Sequence, residues 1–413
     1  MLWPNILKIT VQNKFMDSPI FITGVGVISA IGTNKDEVLN SLLNKETGIS
    51  TIKYLKTGHK EFPVGEVKLS NEEMREVLDI PKSEPITRTS LMGIYALKEA
   101  LKDANLQDSD LSDIGFISGT TVGGMDMSEQ FYLDFINNNS KNEYIKTHDC
   151  GACSEMIADY FGNFSFITSP STACSSAANA IVLGANIIKC GISDIVIVGG
   201  SECITKFHLN GFNSLMILDT NHCRPFDDTR AGLNLGEGAA YIVLESSKSV
   251  QKRGAEIKAV LKGYGNACDA FHQTASSPDG EGAYLSMKEA IETANLSIDD
   301  INYINAHGTG TTNNDKSESQ AIIRLFGENL PPISSTKSYT GHTTSASGSI
   351  ELAICILALE HQFIPLSLNW SNASEGVIHP IINKSESISI NNILCNSFGF
   401  GGNDTSIIIS KFS

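Results

Sequence analysis

Three side chains stand where an apolar or small-residue run gives way to a turn. Cys174 lies in Ser171-Thr-Ala-Cys174-Ser-Ser-Ala-Ala178, which opens a helix-compatible stretch ending near Gly191. A thiol at a helix start faces about half a positive charge and several N–H groups without intrahelical partners; these favour the thiolate and can hold an oxyanion on an attacked carbonyl. His307 follows a buried run and enters Gly308-Thr-Gly-Thr311. The glycines leave room for a ligand, the imidazole can act as acid, base or electrophile, and Thr309 and Thr311 offer hydroxyls to a polar ligand arm. His342 closes Lys337-Ser-Tyr-Thr-Gly-His342 and precedes a second small-residue helix running to about His361. Each has a plainer reading: a buried structural thiol, or a histidine capping a turn.

Asn396-Ser-Phe-Gly-Phe-Gly-Gly402 reads as a Gly-rich loop after a strand Ile388–Leu394. Phe398 and Phe400 on such a hinge suit a gate over an apolar tunnel, or else a tight turn carrying two core rings. His272, in Asp269-Ala-Phe-His-Gln-Thr274, is at most a pocket liner. Gly24-x-Gly26 lacks the third glycine and the later acid of a dinucleotide site. Cys150-Gly-Ala-Cys153 has zinc or redox spacing with no second pair or His at ligand distance, and reads as incidental. No Gly-x-Ser-x-Gly, no phosphate-binding Walker loop and no metal site is expected.

The elements that must position these residues show a repeated pattern. Ile20–Thr23, Ile114–Ser118, Asp194–Val198 and Ile301–Asn305 are short apolar runs, each leading into small residues and then a helix-compatible segment. Such runs predict strands buried on both faces, hence an α/β architecture whose chemistry gathers at the carboxyl ends of strands. Amphipathic helices are predicted over Thr89–Ala104 and Ala283–Ala294. The Cys174 and His342 stretches follow Thr168-Ser-Pro170 and Pro331-Pro-Ile-Ser334 respectively. That is a weak internal repeat placing Cys174 and His342 at corresponding helix starts. The expected division is a tail over 1–18, one half over 19–252 and a second over 253–413.

A chain of 413 residues, 41% hydrophobic and 18% charged, can bury a large core. Its net charge of −16 makes it a poor partner for nucleic acid or anionic membrane. No apolar run approaches the ~18 residues of a membrane span; the longest, Ile350–Leu359, is interrupted by Glu351. The first 17 residues lack a leader-like apolar stretch. Nine scattered cysteines, an odd number, are expected to be reduced thiols in the cytoplasm.

Taken together, the motifs resemble the β-ketoacyl-acyl-carrier-protein synthases of the thiolase-like superfamily, in their elongating Cys-His-His form. The nucleophile motif falls on Thr172-Ala-Cys174-Ser-Ser176. Arg-Pro-Phe-Asp falls on Arg224–Asp227, and Gly-Glu-Gly-Ala-Ala on Gly236–Ala240. Ala-His-Gly-Thr-x-Thr falls on Ala306–Thr311 with Asp315 beyond it, and Ser-Thr-Lys-Ser-x-x-Gly-His on Ser335–His342 with Glu351 beyond it. The Phe/Gly gate is complete, and the resemblance spans residues 19–412. It implies a five-layered α-β-α-β-α fold from two similar halves, a dimer with itself or with a related subunit, and no cofactor, the phosphopantetheine arriving on acyl carrier protein. It also implies that Cys174 takes the acyl chain, and that His307 and His342 promote decarboxylation of a malonyl thioester. Lys337, paired with Glu351, tunes the histidines. Backbone N–H groups of Cys174 and Phe400 form the oxyanion hole. Thr309, Thr311, Phe398, Phe400, His272 and Thr274 meet the pantetheine arm or substrate.

Against the family pattern, Asn403 replaces a usual Thr, Ser345-Ala-Ser347 replaces Gly-Ala-Ala as an exchange of small residues, and the segment Asp149–Phe164 is short. The resemblance leaves open fatty acid or polyene/polyketide synthesis. A non-catalytic chain-length-factor-like partner and a thiolase are the rival readings. The retained Cys174, both histidines and Lys337 weigh against the first, and the absence of a cysteine in the 396–403 loop against the second.

Overall fold

The computed structural model describes residues 18–383 and 389–412; the expected tail, save residue 18, and the expected strand start at Ile388 lie outside them. Among the described residues ten strands form: β1 (Ile20–Ser29), β2 (Gly115–Gly119), β3 (Phe166–Thr168), β4 (Ile195–Glu202), β5 (Gly238–Ser246), β6 (Ala259–Cys268), β7 (Tyr303–Asn305), β8 (Ile333–Ser334), β9 (Asn392–Gly399) and β10 (Asn403–Ser410). Their order is β3-β2-β4-β5-β1-β6-β10-β9-β7-β8. Read outward from the β1–β6 contact, both sides repeat one plan. Two inner antiparallel pairings are followed by two outer parallel ones. β1 meets β6 over only three residue pairs.

Alternation of side chains then sorts the core into layers. On β5, Ala240, Ile242 and Leu244 join a central cluster with the helices Ser176–Lys189 and Ser347–His361. The intervening Ala239, Tyr241 and Val243 face a second cluster under the helices Arg88–Asp103 and Cys150–Phe161. β9 and β10 do the same, sending Ile393, Ile407 and Ile409 to the centre. Leu394 and Ile408 go to a third cluster under the helices Glu281–Ala294 and Thr312–Phe326. The result is the five-layered thiolase-like arrangement. The Ser347–His361 helix is buried along nearly its whole length because it lies between the two half-sheets, which explains a sequence apolar on every side.

Three local expectations change. Gly24-Val-Gly26 is not a loop after a short strand but lies within β1, and Gly199-Gly-Ser-Glu202 likewise completes β4. A Cβ on Gly26 would sit 2.0 Å from the Ala96 carbonyl of the covering helix, and one on Gly265 of β6 2.2 Å from the Ser286 carbonyl. The glycines let helix and sheet approach closely in both halves. The gate also begins later than expected, since Asn396–Gly399 belong to β9 and the turn is Phe400–Gly402.

Candidate active site

The side chains singled out above converge on a cavity of about 380 Å³. Cys174 follows β3, His307 follows β7, Lys337 and His342 follow β8, and Phe400 follows β9. All sit at carboxyl ends of strands, where diverging loops leave a crevice. Cys174, His307, His342, Thr309, Thr311, Phe398 and Phe400 line it, and Thr274 stands at its edge. His272 does not: it is exposed, and its Nδ1 accepts the Thr274 N–H at 3.2 Å, so it braces the turn instead of meeting the cavity.

Cys174 precedes its helix by two residues, which begins at Ser176. The turn that presents it has Ala173 in the left-handed region (φ 53°), an uncommon conformation for a residue with a Cβ. Ser176 holds that turn, its hydroxyl accepting from Thr172 N–H at 2.9 Å and donating to the Ala173 carbonyl at 2.7 Å. The sulfur lies 3.1 Å from His342 Nε2, and the Phe400 N–H points at it. Burial pushes the thiol up to about 11, with Lys337 and the Phe400 N–H pulling against the rise and Glu202 and Glu351 adding to it. The expected dominance of the helix start is therefore overturned: with the thiol 5% exposed, lost solvation outweighs nearby N–H dipoles.

The two imidazoles meet edge to face with centroids 5.2 Å apart. Burial, Lys337 and the partner ring drive His307 well below its usual value; burial, Lys337 and His208 do the same to His342. Both rings are thus neutral hydrogen-bonding groups near neutral pH. Lys337 Nζ approaches His307 Nδ1 at 3.2 Å and donates to the His307 carbonyl at 2.6 Å. An ammonium has only protons to give, so it fixes Nδ1 as acceptor and leaves the His307 proton on Nε2. Lys337 is ion-paired with Glu351, their side chains only 1% and 2% exposed. Nothing among the described residues bonds His342 Nδ1, so Nε2 is not locked into one tautomer.

Supporting groups complete the loops. Asp315 accepts from the Phe226 and Gly310 N–H groups at 2.7 and 3.1 Å. The Thr309 and Thr311 hydroxyls are 2.9 Å apart. Phe398 lies 5.8 Å from the His307 ring, and Phe400 stacks on Phe212 at 5.9 Å. Asn403, the residue that departs from the family's Thr, accepts from Ser175 and Asn179 at 2.8 and 2.6 Å, tying the gate to the Cys174 helix.

Sequence reading missed three participants. Glu318 accepts the His307 and Gly308 N–H groups, each at 2.8 Å, and burial pushes it up to about 7. It shares a helix face with Asp315, Ile322 and Phe326, and two acids on an otherwise apolar stripe was a readable signal. Glu202 ends buried β4, one residue past two glycines. Phe212 carries no local mark of its role. Ser345 is not a neutral exchange either, since its hydroxyl donates to Glu202.

The family model for the β-ketoacyl synthase N-terminal domain matches residues 17–249, and that for the C-terminal domain residues 258–371. The 3-oxoacyl-[acyl-carrier-protein] synthase 2 of Staphylococcus aureus strain N315 is 32% identical, covering 97% of this chain and 99% of its own. The ishigamide ketosynthase/chain length factor superposes with a TM-score of 0.90 at 29% identity, covering 96% of this chain and all of its own. A type II polyketide ketosynthase in complex with its acyl-carrier protein, AntDE:AntF, gives 0.86 at 27% identity over 96% and 100%. Matched in both domains and over nearly its full length, the chain belongs to the β-ketoacyl synthase family.

Proposed function

We propose that the protein catalyses decarboxylating Claisen condensation between an acyl chain held on Cys174 and a malonyl thioester on acyl carrier protein. The product is a 3-oxoacyl thioester. The observation that carries this reading is the single cavity joining a thiol to two neutral imidazoles, one with its tautomer set by a buried lysine.

In the first half-reaction Cys174 Sγ attacks the acyl thioester. Its proton passes to His342 Nε2 and on to the departing carrier thiol, and the Cys174 and Phe400 N–H groups receive the oxyanion. A raised thiol pKa suits this order, because the sulfur stays protonated until a thioester and its proton acceptor are both in place. In the second half-reaction the malonyl carbonyl lies between the imidazoles. The C–C bond to the carboxylate breaks, CO₂ leaves, and the electron pair forms an enolate whose oxygen is held by His307 and His342 N–H donors. The enolate carbon attacks the acyl-Cys174 carbonyl and expels the sulfur as a thiolate, which regains its thiol proton from solvent, the one proton the net reaction consumes. Thr309 and Thr311 hold the pantetheine arm, and Phe398 and Phe400 close the entrance.

The relatives' partners suggest those of this chain: acyl carrier protein as substrate bearer, and a second ketosynthase-like subunit, identical or related. The non-catalytic reading is disfavoured by a complete contact set around Cys174. The thiolase reading is disfavoured by Cys395, which faces the central core and not the cavity. The test incubates the protein with acyl- and malonyl-loaded carrier protein and follows 3-oxoacyl carrier by mass. Product from wild type and a loss of ~10² or more in Cys174→Ala are expected. Equal yield from both would refute the assignment.

A further inference from the structure

The turn Phe400–Gly402 stands on two feet, and both rest on the turn that presents Cys174. On the incoming side, the Ser397 hydroxyl donates to the Cys174 carbonyl at 3.1 Å. On the outgoing side, Asn403, paired with Gly399 across the β9–β10 ladder, reaches back with its side-chain oxygen. That oxygen accepts from Ser175 Oγ at 2.8 Å, from Asn179 Nδ2 at 2.6 Å and from Asn266 Nδ2 at 3.1 Å. Ser175 directly follows the nucleophile, Asn179 lies one turn on in the Ser176–Lys189 helix, and Asn266 belongs to β6. The Ser175 hydroxyl has one proton and two acceptors at 2.8 Å, Asn403 Oδ1 and the Thr172 carbonyl, so it joins the gate to the nucleophile turn itself. Asn179 Oδ1 accepts from Asn266 Nδ2 at 3.0 Å and from Thr405 Oγ1 at 3.1 Å, which turns its nitrogen toward Asn403. Between the feet, a Cβ on Gly399 would sit 2.9 Å from the Thr172 carbonyl and 3.1 Å from Ser175 Oγ. On its far side the gate leans on the 269–273 loop, Gly401 N–H donating to the Gln273 carbonyl at 2.8 Å and Gly402 accepting the Asp269 N–H at 2.7 Å. The family's usual threonine, with its oxygen one bond nearer the backbone, has less reach than this asparagine.

We propose that Asn403 is a positioning residue for the oxyanion formed at Cys174: it latches the gate turn to the nucleophile turn, so that the Phe400 and Cys174 N–H groups stay aimed at one point. The inference rests on the acylation of Cys174 proposed above. Both donors meet negative charge only when a carbonyl carbon is bonded to the sulfur, and a misplacement of ~1 Å at such a site costs up to ~10²-fold in rate. Malonyl decarboxylation instead places its charge on an oxygen held by His307 and His342, which follow β7 and β8. Loss of the latch therefore falls on acyl transfer and spares decarboxylation. A residue that served packing alone would lower both together.

The experiment separates the two partial reactions. Acyl-loaded carrier protein alone reports transfer to Cys174, read as the mass of one acyl group. Malonyl-loaded carrier protein alone reports decarboxylation: CO₂ leaves, and the enolate carbon takes a proton from solvent to give acetyl carrier. Asn403→Leu, which keeps the bulk and removes the acceptor, should slow acyl transfer about ten- to a hundredfold and keep CO₂ release within about twofold of wild type. Combined with Ser175→Ala, it should lose less than the product of the two single losses, the mark of partners in one network. Acyl transfer at the wild-type rate, equal loss in both partial reactions, or full additivity would overturn the latch. If Asn403→Leu does not fold, Asn403→Ser, too short to reach Ser175, must show the same one-sided loss, and its absence overturns the proposal. A wild type that takes no acyl group removes the nucleophile reading and the latch with it. A wild type that does, beside an unmoved variant, removes the latch alone.

Discussion

Lys337 explains why two histidines in one cavity need not play the same part. Its ammonium faces His307 Nδ1 and is matched by Glu351, so one imidazole has a fixed Nε2–H while the other stays free to receive a proton from sulfur. Replacing Lys337 by Met should cut decarboxylation by ~10²–10³, the scale of losing one aligned donor. It should also strand a buried carboxylate, a loss of ~3–5 kcal/mol. The double variant Lys337→Met/Glu351→Leu should melt above the single Lys337→Met variant while staying equally inactive. A double variant that melts lower would show that the pair contributes stability beyond charge balance. At this scale Cys174, His307 and His342 were legible as candidates, because turn chemistry and small neighbours mark them locally, while Lys337 came only from the resemblance. Glu318 and Glu202 were not, since their meaning lies in backbone N–H groups brought from other loops. The thiol's ionisation was misread because burial is a property of the assembled fold.

Secondary-structure elements act here as spacers. β1 and β6 each carry two glycines beneath small residues of the covering helix, so helix and strand approach closely enough to set the loops beyond them. Gly26→Ala should destabilise the protein by about 1–3 kcal/mol, the usual range for overpacking. This is readable as a fall in Tm; an unchanged Tm would mean that the contact relaxes freely. The sequence showed where strands begin, through their apolar runs. It hid where they end, because the same glycines that signal a loop also permit a strand to run under a helix. β1 and β4 are therefore longer than their apolar cores, and the gate shorter than its glycine content suggested.

Across the whole molecule, two five-stranded halves place Cys174 and His342 ahead of neighbouring central helices, so the reaction centre lies between the halves and depends on their seating. The resemblance anticipated this layered plan, while the residues alone gave only a faint repeat, since the matching positions share small size and not identity. The far half also holds an acidic group beneath the gate. Burial pushes Asp404 up to about 8, with Asp269 and Glu318 adding and the Gly399 N–H pulling against it. Between about pH 4 and pH 8 the folded chain keeps a proton that the unfolded chain has lost, so stability from this group falls as pH rises through that window. Asp404→Asn should therefore gain Tm over wild type progressively from about pH 5 to about pH 8, and a constant difference would contradict the assignment. The central claim, that one sulfur and two imidazoles divide a reaction between them, is tested most directly by the partial reactions of His307→Ala. Given acyl- and malonyl-loaded carrier protein, this variant should accumulate one acyl group on Cys174 and release almost no CO₂. Release at the wild-type rate, or no acyl group on Cys174, would contradict the account.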